Sequence, residues 1–498
     1  MGFYQILSLA FGVSFFVLTG RVLLSWWIFP RRKYQKLQEN GLTGPPPSFP
    51  FGNIKDMTKA FSSSSSSQSF GFTNDIHSIV FPYFVRWPEP FLYIADPEFL
   101  KQMSSGVLGK AWGKPNVFKH DRKSLFGNGL VMLEGDGWSH HRHIITPAFS
   151  AANLKGMMSL LVDSTNNMLD KWSGLIGSGR PEIDVEMEII STAAEIIAKT
   201  SFGIDSENGK KVFEKLRDVQ VLLFQSNRLV GVPFSKLMYL KKTLETRRLG
   251  KEIDNLLLSI IRSRMASGNK SEKDLLGGLL ADNSINGKVE KKLTSNELVD
   301  ECKTFFFAGH ETTALALIWT LLLLVLNPEW QTHLREEIQE VVRDGPLEYT
   351  MLSKLKKMGW VMNEVMRLYS PAPNIQRQTR GDIRVGDKII PNGTNIWIDV
   401  VGMNHDPELW GDDVYEFKPE RFEDNLNGGC KHKMGFLPFG FGGRMCIGRN
   451  LSFMEYKVVL TLILRKFSFS LSPTYRHSPA IMLSLRPTYG LPLVFEHL

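Results

Sequence analysis

The chain has 498 residues, of which 43% are hydrophobic and 11% aromatic, a globular composition with ample material for a core. Its three cysteines, Cys302, Cys430 and Cys446, are too few for a disulfide framework, so we expect a reducing compartment. The net charge of +8 suits an anionic membrane surface or an acidic protein partner. The sequence has no basic stripe interleaved with aromatic residues, and we therefore expect no nucleic-acid partner.

The chain begins with an apolar run, Phe3–Gly20, which approaches the roughly 20 residues that a helix needs to cross a bilayer. Basic residues follow it and should stay cytosolic. We therefore predict an N-terminal transmembrane anchor at 1–30, a basic flank and proline-rich hinge at 31–50, and a globular domain at 51–498. The alternative is a cleaved signal peptide, which is disfavoured because no Lys or Arg precedes the run.

The globular part is mostly helical by its hydrophobic period. Segments with apolar residues at helical spacing are Leu160–Trp172, Ile253–Met265, Leu315–Leu326 and Trp330–Val342. Shorter runs that alternate or contain β-formers are Ile383–Ile390, Thr394–Val401 and Phe467–Leu471. Because helices and strands do not alternate regularly, we predict a mainly α fold with small β-sheets (α+β) and no series of βαβ units.

The densest chemical signal is the segment Phe436–Asn450, in which four glycines surround Cys446. Glycine lets the backbone approach a flat ligand closely, and N–H groups turned towards a sulfur would tune a bound metal. Leu451–Phe467 has a helical period, so a thiolate would gain from the helix N-terminus. No second cysteine stands at a metal-ligand spacing, which argues against zinc and iron–sulfur sites. A glycine-rich turn with an incidental buried cysteine remains the alternative.

The segment resembles the cysteine-loop signature of cytochrome P450 enzymes. The residues that stand at the family's spacings are Phe439, Gly442, Arg444, Cys446 and Gly448. The resemblance implies the cytochrome P450 fold and a haem b cofactor. It makes Cys446 the axial ligand of the iron, places Arg444 at a haem propionate, and assigns Phe439 and Gly448 to the cofactor site. Residues 51–498 would then be the haem-binding catalytic domain.

A second motif, Ala308–Thr313, has the sequence Ala-Gly-His-Glu-Thr-Thr and lies in an apolar helical run. Mid-helix glycine is unfavourable by roughly 1 kcal/mol against alanine, so the motif predicts a groove or kink in a buried helix. It resembles the family's oxygen-binding helix, which implies that Thr312 delivers protons to dioxygen and that Glu311 serves the relay. The alternative is an acid–hydroxyl pair at a packing seam. We expect His310 to be an ordinary helix residue and not a metal ligand.

Further haem contacts come from two other places in the chain. Trp138 and Arg142 are four residues apart and share one face of a predicted helix. The resemblance gives both a haem-propionate role, a charge-assisted contact well suited to arginine. Arg377 matches another propionate-binding position. We expect His140 and His141 to face solvent or a partner surface.

Glu364 and Arg367 are three residues apart and also share a helix face. They resemble the family's Glu-x-x-Arg helix, and Arg421 lies downstream in a Pro-Glu-Arg-Phe segment. By this resemblance the three form a buried network around the haem. We interpret them as structural and not catalytic residues.

The resemblance implies a monooxygenase that hydroxylates a hydrophobic small molecule of terpenoid, steroid, hormone or fatty-acid type. It would use O₂ and electrons from NADPH, delivered by NADPH–cytochrome P450 reductase. The protein would contact membrane lipid as a single-pass protein of the endoplasmic reticulum, with a cytosolic catalytic domain. Leu471–Tyr475 and Asn404–Pro407 resemble the plant clan of hormone-inactivating and terpenoid or steroid hydroxylases.

One departure from the family concerns the link between Trp87 and Phe91. Relatives carry a longer stretch there, enough for a β-strand and turn, so either the sheet is trimmed or a segment has been lost. The alternative function is therefore a catalytically impaired haem-binding protein. A haem-thiolate isomerase or dehydratase acting on peroxides is disfavoured, because such relatives typically lack a threonine at the position of Thr312.

Overall fold

The computed structural model describes residues 2–42, 74–77, 91–104, 111–203, 206–226, 239–266, 274–280, 284–285, 288–289 and 292–498. The described chain is mostly helical. Its α-helices are α1 (Phe3–Leu23), α2 (Phe29–Glu39), α3 (Pro97–Ser104), α4 (Asn116–Asp121), α5 (Lys123–Phe126), α6 (Gly135–Ile145), α7 (Ala151–Gly177), α8 (Val185–Phe202), α9 (Ser206–Ser226), α10 (Leu240–Ala266), α11 (Leu275–Leu280), α12 (Ser295–Leu326), α13 (Pro328–Val341), α14 (Lys356–Leu368), α15 (Val400–Asn404), α16 (Pro407–Trp410) and α17 (Arg449–Lys466).

The strands are short and form small sheets. They are β1 (Phe91–Ile94), β2 (Trp112–Gly113), β3 (Glu182–Asp184), β4 (Ser284–Ile285), β5 (Lys288–Val289), β6 (Asn374–Thr379), β7 (Ile383–Val385), β8 (Lys388–Ile390), β9 (Asn395–Asp399), β10 (Phe467–Leu471), β11 (Pro479–Met482), β12 (Ser484–Pro487) and β13 (Pro492–His497). The largest sheet has the order β1–β9–β6–β2, with only β1 and β9 parallel. A second sheet has the order β10–β13–β3, and the other strands form two-stranded pairs.

The predicted fold class is confirmed, since helices dominate and the sheets are small. The four predicted helical segments fall in α7, α10, α12 and α13, and only Val342 lies just beyond its helix. The predicted strand Phe467–Leu471 is β10 residue for residue. Helices such as α10 and α14 bury one apolar stripe, because apolar residues recur at i, i+3 and i+4.

Helix α12 forms the centre of the core. A capping box starts it, in which Thr294 Oγ1 accepts from the Glu297 N–H and the Glu297 carboxylate accepts from the Thr294 N–H, satisfying two otherwise unpaired donors. Among the described helices it is the one that is long and apolar enough to cross a membrane, but 78% of that stretch is buried inside the protein. A helix that is apolar all round and enclosed in this way is a core helix.

Helix α1 is the segment in which we predicted a membrane anchor. Its apolar part, Leu7–Leu23, falls short of the length that marks a membrane span, although its large apolar side chains such as Phe11 and Phe16 are exposed. Helix α2 follows through a π-helical turn, Leu24–Ile28, and contacts the globular body where Lys33 Nζ donates to the Gly393 carbonyl at 2.8 Å. The predicted hinge lies outside the described residues from position 43 onwards.

The shortened link between Trp87 and Phe91 also lies outside the described residues, up to position 90. The strand that follows it is in place: β1 pairs with β9 along its full length, from Phe91 opposite Asn395 to Ile94 opposite Ile398. The attachment of β1 to the four-stranded sheet therefore does not depend on a longer link.

Helix α14 carries the predicted structural network, which is confirmed. Glu364 and Arg367 are fully buried and form a two-pronged ion pair, with N–O distances of 2.7 and 2.8 Å. Arg421 Nε lies 3.5 Å from the Glu364 carboxylate. Arg367 also donates to three backbone carbonyls, those of Asn404, Val414 and Glu416. The network therefore fixes the chain between β9 and the cysteine loop relative to α14.

Candidate active site

A cavity of about 1360 Å³ lies between α12 and the cysteine loop. Its wall also includes residues of α6, the start of β6 and the β11–β12 hairpin. A volume above the usual 300–1,000 Å³ of a small-molecule pocket leaves room for a flat cofactor together with a substrate.

Cys446 lies in the wall of this cavity, and its exposed surface faces the interior space. The loop reaches this position through Gly440 and Gly442, whose φ angles of 76° and 61° suit glycine and few other residues. The Cys446 N–H donates to the Phe439 carbonyl at 2.9 Å. Burial raises the pKa of the Cys446 thiol, while the Gly448 N–H and the charge of Arg142 act in the opposite direction. Helix α17, Arg449–Lys466, starts three residues after Cys446 and two residues before the predicted start at Leu451.

The predicted cofactor residues gather on the same wall. Arg444 stacks on Trp138, with its guanidinium carbon 4.1 Å from the ring centroid, and donates to the Leu133 carbonyl at 2.8 Å. Arg142 donates to the Met445 carbonyl at 3.0 Å. Arg377, from β6, donates to the neighbouring Gln376 carbonyl at 2.9 Å. The structure thus brings together residues from α6, β6 and the cysteine loop.

Lys114 joins these cations, although the sequence analysis did not single it out. It lines the cavity, and burial together with the charges of Arg377, Arg122 and Arg444 lowers its pKa well below its usual value. Its signal was weak, because a lone lysine beside a proline is common in loops. A buried wall with several cations is unfavourable unless an anion neutralises it.

Carboxylates are scarce beside these cations. Glu134 does not line the cavity and forms ion pairs with Arg380 and Lys119, each at 2.7 Å. Burial alone would raise the pKa of Glu134, but the hydrogen bonds from these two cations lower it to about 2. Among the described lining residues the single carboxyl group is Glu455, whose pKa burial raises well above its usual value. Burial therefore favours the neutral form of Glu455.

This wall fits haem b. A cavity-facing thiol is available to the iron, and arginines without carboxylate partners are available for the two propionates. Phe439 lies in the lining with Cys446 and packs on Phe453 in a tilted arrangement, with ring centroids 5.4 Å apart. A Cβ added to Gly448 would lie 3.9 Å from the Cys446 sulfur, so Gly448 borders the sulfur directly.

Helix α12 forms the opposite wall through the motif that the sequence singled out. Ala308, Gly309 and Thr312 line the cavity, and the Thr312 hydroxyl donates to the Ala308 carbonyl at 2.9 Å. Gly309 packs directly on α8, because an added Cβ would lie 2.5 Å from Ile197 Cδ1. The small residues therefore serve both the cavity and a close contact between two helices.

The Glu311 side chain points away from the cavity. Its carboxylate is not part of the cavity lining; it accepts a hydrogen bond from Gln220 of α9 at 2.9 Å and lies 3.9 Å from Arg486 of β12. One of its oxygens, Oε2, is buried without a hydrogen-bond partner. A direct transfer from Glu311 to the cavity therefore needs a change of rotamer or an intervening water.

Two expectations for histidines have different outcomes. His310 is buried in α12 and hydrogen-bonds the Phe306 carbonyl one turn earlier, the contact of an ordinary helix residue. The expectation for His141 was wrong. It is 3% exposed and hydrogen-bonds the buried Glu301 at 2.7 Å, because the helix face that carries it packs on α12. His140 is only partly exposed.

Comparison with known proteins agrees with this geometry. The cytochrome P450 family model matches residues 44–490. A cytokinin hydroxylase of Arabidopsis thaliana is 37% identical over 95% of this chain and 94% of its own length. Cytochrome P450 714C2 of Oryza sativa subsp. japonica is 34% identical, over 96% and 95%, and cytochrome P450 734A1 of Arabidopsis thaliana is 33% identical, over 99% and 97%. The chain therefore belongs to the cytochrome P450 family, the haem-dependent monooxygenases.

Proposed function

We propose that this protein hydroxylates a hydrophobic small molecule, with O₂ as oxidant and electrons that come from NADPH through a reductase. The observation that carries the proposal is one cavity that presents the Cys446 thiol, a wall of unpaired arginines and the Thr312 hydroxyl. Bound haem with a thiolate ligand supplies the activation of dioxygen that lets one oxygen atom enter a substrate C–H bond.

The residues of this chain bind the haem and move protons. Cys446 holds the iron, and Arg142, Arg377 and Arg444 hold the propionates, with Trp138 supporting Arg444. Phe439 and Gly448 shape the backbone around the sulfur. The Thr312 hydroxyl, one turn along α12 from Ala308, passes a proton within the cavity, and Glu311 supplies protons from the outer side of the helix.

The electron-donating partner would bind near the cysteine loop. Lys431, Lys433 and Arg449 are exposed there, and clustered positive charge favours an acidic partner surface. We propose NADPH–cytochrome P450 reductase as this partner. Residues 1–30 would anchor the protein in the endoplasmic reticulum membrane, 31–50 would act as the hinge, and 51–498 would form the cytosolic catalytic domain.

The relatives support a plant-hormone-like substrate among the classes expected from the sequence. One of them is named for the hydroxylation of cytokinins, a plant hormone class, and the cavity is lined largely by apolar side chains. We therefore propose a hormone-like, terpenoid, steroid or fatty-acid substrate for this chain.

The experiment is a carbon-monoxide difference spectrum of the reduced protein, followed by turnover with reductase and NADPH. We expect the thiolate-type Soret band in the wild type and its loss in Cys446→Ser. Cys430→Ser is the matched control, because Cys430 is buried outside the cavity and should leave the band intact. A thiolate band that survives in Cys446→Ser would refute the ligand assignment. Haem binding with no product from any hydrophobic substrate would favour the catalytically impaired alternative.

A further inference from the structure

Arg122 is a cation in the cavity wall that the proposed chemistry does not use. It lies between α4 and α5 and lines the same cavity as Cys446. Its Nε is buried without a hydrogen-bond partner. The charge of the adjacent Asp121 acts on it, but among the described residues no carboxylate forms an ion pair with the guanidinium. Burial lowers the pKa of Arg122 to about 10, which leaves it charged at neutral pH.

The Arg122 side chain packs on an aromatic ring that fixes its position. Its guanidinium carbon lies 3.9 Å from the centroid of the Phe118 ring, and Phe118 is 2% exposed. The Arg122 N–H donates to the Phe118 carbonyl at 2.9 Å, and the Arg122 carbonyl accepts from Leu125 and Phe126 at 3.0 Å each. Backbone and ring therefore fix the guanidinium before any ligand arrives, which reduces the entropy lost on binding.

Arg122 lies near enough to Lys114 for its charge to lower the pKa of that lysine, but its own contacts differ from those of the propionate cations. Phe118 packs on the guanidinium, and Phe126, whose N–H donates to the Arg122 carbonyl, packs edge to face on Phe307 of α12 at 4.8 Å. All three rings line the cavity. Arg142 and Arg444, in contrast, contact backbone carbonyls of the cysteine loop and of the segment before α6. An unpaired guanidinium in an aromatic surrounding suits a molecule that is apolar except for one anionic group.

We propose that Arg122 binds the carboxylate of an otherwise apolar substrate and thereby selects hydrophobic carboxylic acids over their neutral analogues. This inference rests on the proposed function, since it concerns the substrate of the same cavity. Two parallel N–H···O bonds from the guanidinium would satisfy Nε, and the aromatic side chains around it would receive the hydrocarbon part. Arg122 would thus act as a specificity-determining residue that orients the substrate and takes no part in oxygen chemistry.

The test compares three acids of different shape with their methyl esters: lauric, dehydroabietic and lithocholic acid. Binding to the full-length haem protein is followed by the substrate-induced shift of the Soret band, with free ligand concentrations fixed by dialysis. We expect at least one acid to bind the wild type about 10- to 100-fold more tightly than its ester, as for a charge-assisted hydrogen-bonded pair. We expect Arg122→Gln to abolish that preference and Arg122→Lys to keep part of it.

Lys123→Gln is the matched control, because Lys123 is the next cation, is exposed and does not line the cavity; it should keep the preference. The proposal is overturned if no acid binds the wild type better than its ester, or if the preference survives in Arg122→Gln. It is equally overturned if Arg122→Gln loses haem, since Arg122 would then serve the cofactor. Failure of the proposed function would appear separately, as a wild type without the thiolate-type carbon-monoxide band.

Discussion

Replacing Arg377 with methionine should change stability in opposite directions in the haem-free and the haem-loaded protein. Burial and the nearby charge of Arg444 lower the pKa of Arg377 to about 10, between two and three units below the ordinary value of a guanidinium. One pKa unit corresponds to about 1.4 kcal/mol, so the charge disfavours the haem-free fold by roughly 3 kcal/mol. At neutral pH the whole penalty is present, because the arginine is protonated in both the folded and the unfolded state.

Arg377→Met should therefore raise the free energy of unfolding of the haem-free protein by about 1–3 kcal/mol, after allowance for the lost bond to the Gln376 carbonyl. In the haem-loaded protein the same change removes a propionate partner. A hydrogen bond to a charged group contributes about 1.5–3 kcal/mol, so haem should dissociate about 10- to 100-fold faster.

The assay pairs urea unfolding of the haem-free protein with the rate of haem transfer to an acceptor globin. Arg384→Met is the control, since Arg384 is exposed on β7 and should affect neither measurement. The reasoning is refuted if Arg377→Met destabilises the haem-free protein, or if the variant retains haem as long as the wild type does.

Three further predictions test the rest of the site. Thr312→Ala should keep haem but lower the product formed per NADPH consumed by about 10- to 100-fold; an unchanged yield in reconstituted turnover would contradict the proton role. Glu364→Gln should lower the free energy of unfolding by about 3–5 kcal/mol, since Arg367 stays buried without a carboxylate; a loss below about 1 kcal/mol in urea would count against it. Gly309→Val should destabilise the protein by about 1–3 kcal/mol through its clash with Ile197, and an unchanged thermal midpoint would disprove that.

The parts of the site that the sequence could predict are those set by local spacing. Cys446 and its glycines lie in one short loop, and Trp138 and Arg142 are on one helix turn. The spacing of these residues in the sequence therefore determines how close they are in the structure. Thr312 faces the cavity, as predicted for its helix. Glu311 follows the same helical pattern, yet its side chain lies about 100° around α12, and only tertiary packing shows that this direction leads to Gln220.

Other features could not be read from the chain. His141 was expected at the surface because histidine is polar, but Glu301, 160 positions away, provides a buried partner. Lys114 and Arg122 carried no motif, and their role depends on which charges and rings surround them after folding. Long-range contacts of this kind leave no local periodicity in a single sequence.

The contact between Gly309 and Ile197 has a consequence for how this enzyme can diversify. With α12 pressed against α8, a larger side chain at position 309 meets the Ile197 side chain, which restricts gradual change on the oxygen side of the cavity. Variation can instead accumulate at the opposite rim, around Arg122 and along the β11–β12 hairpin, whose turn residue Leu483 has a φ of 74° and also faces the cavity. New substrate preferences in descendants of this chain should therefore arise from the loops while the helix pair stays constant.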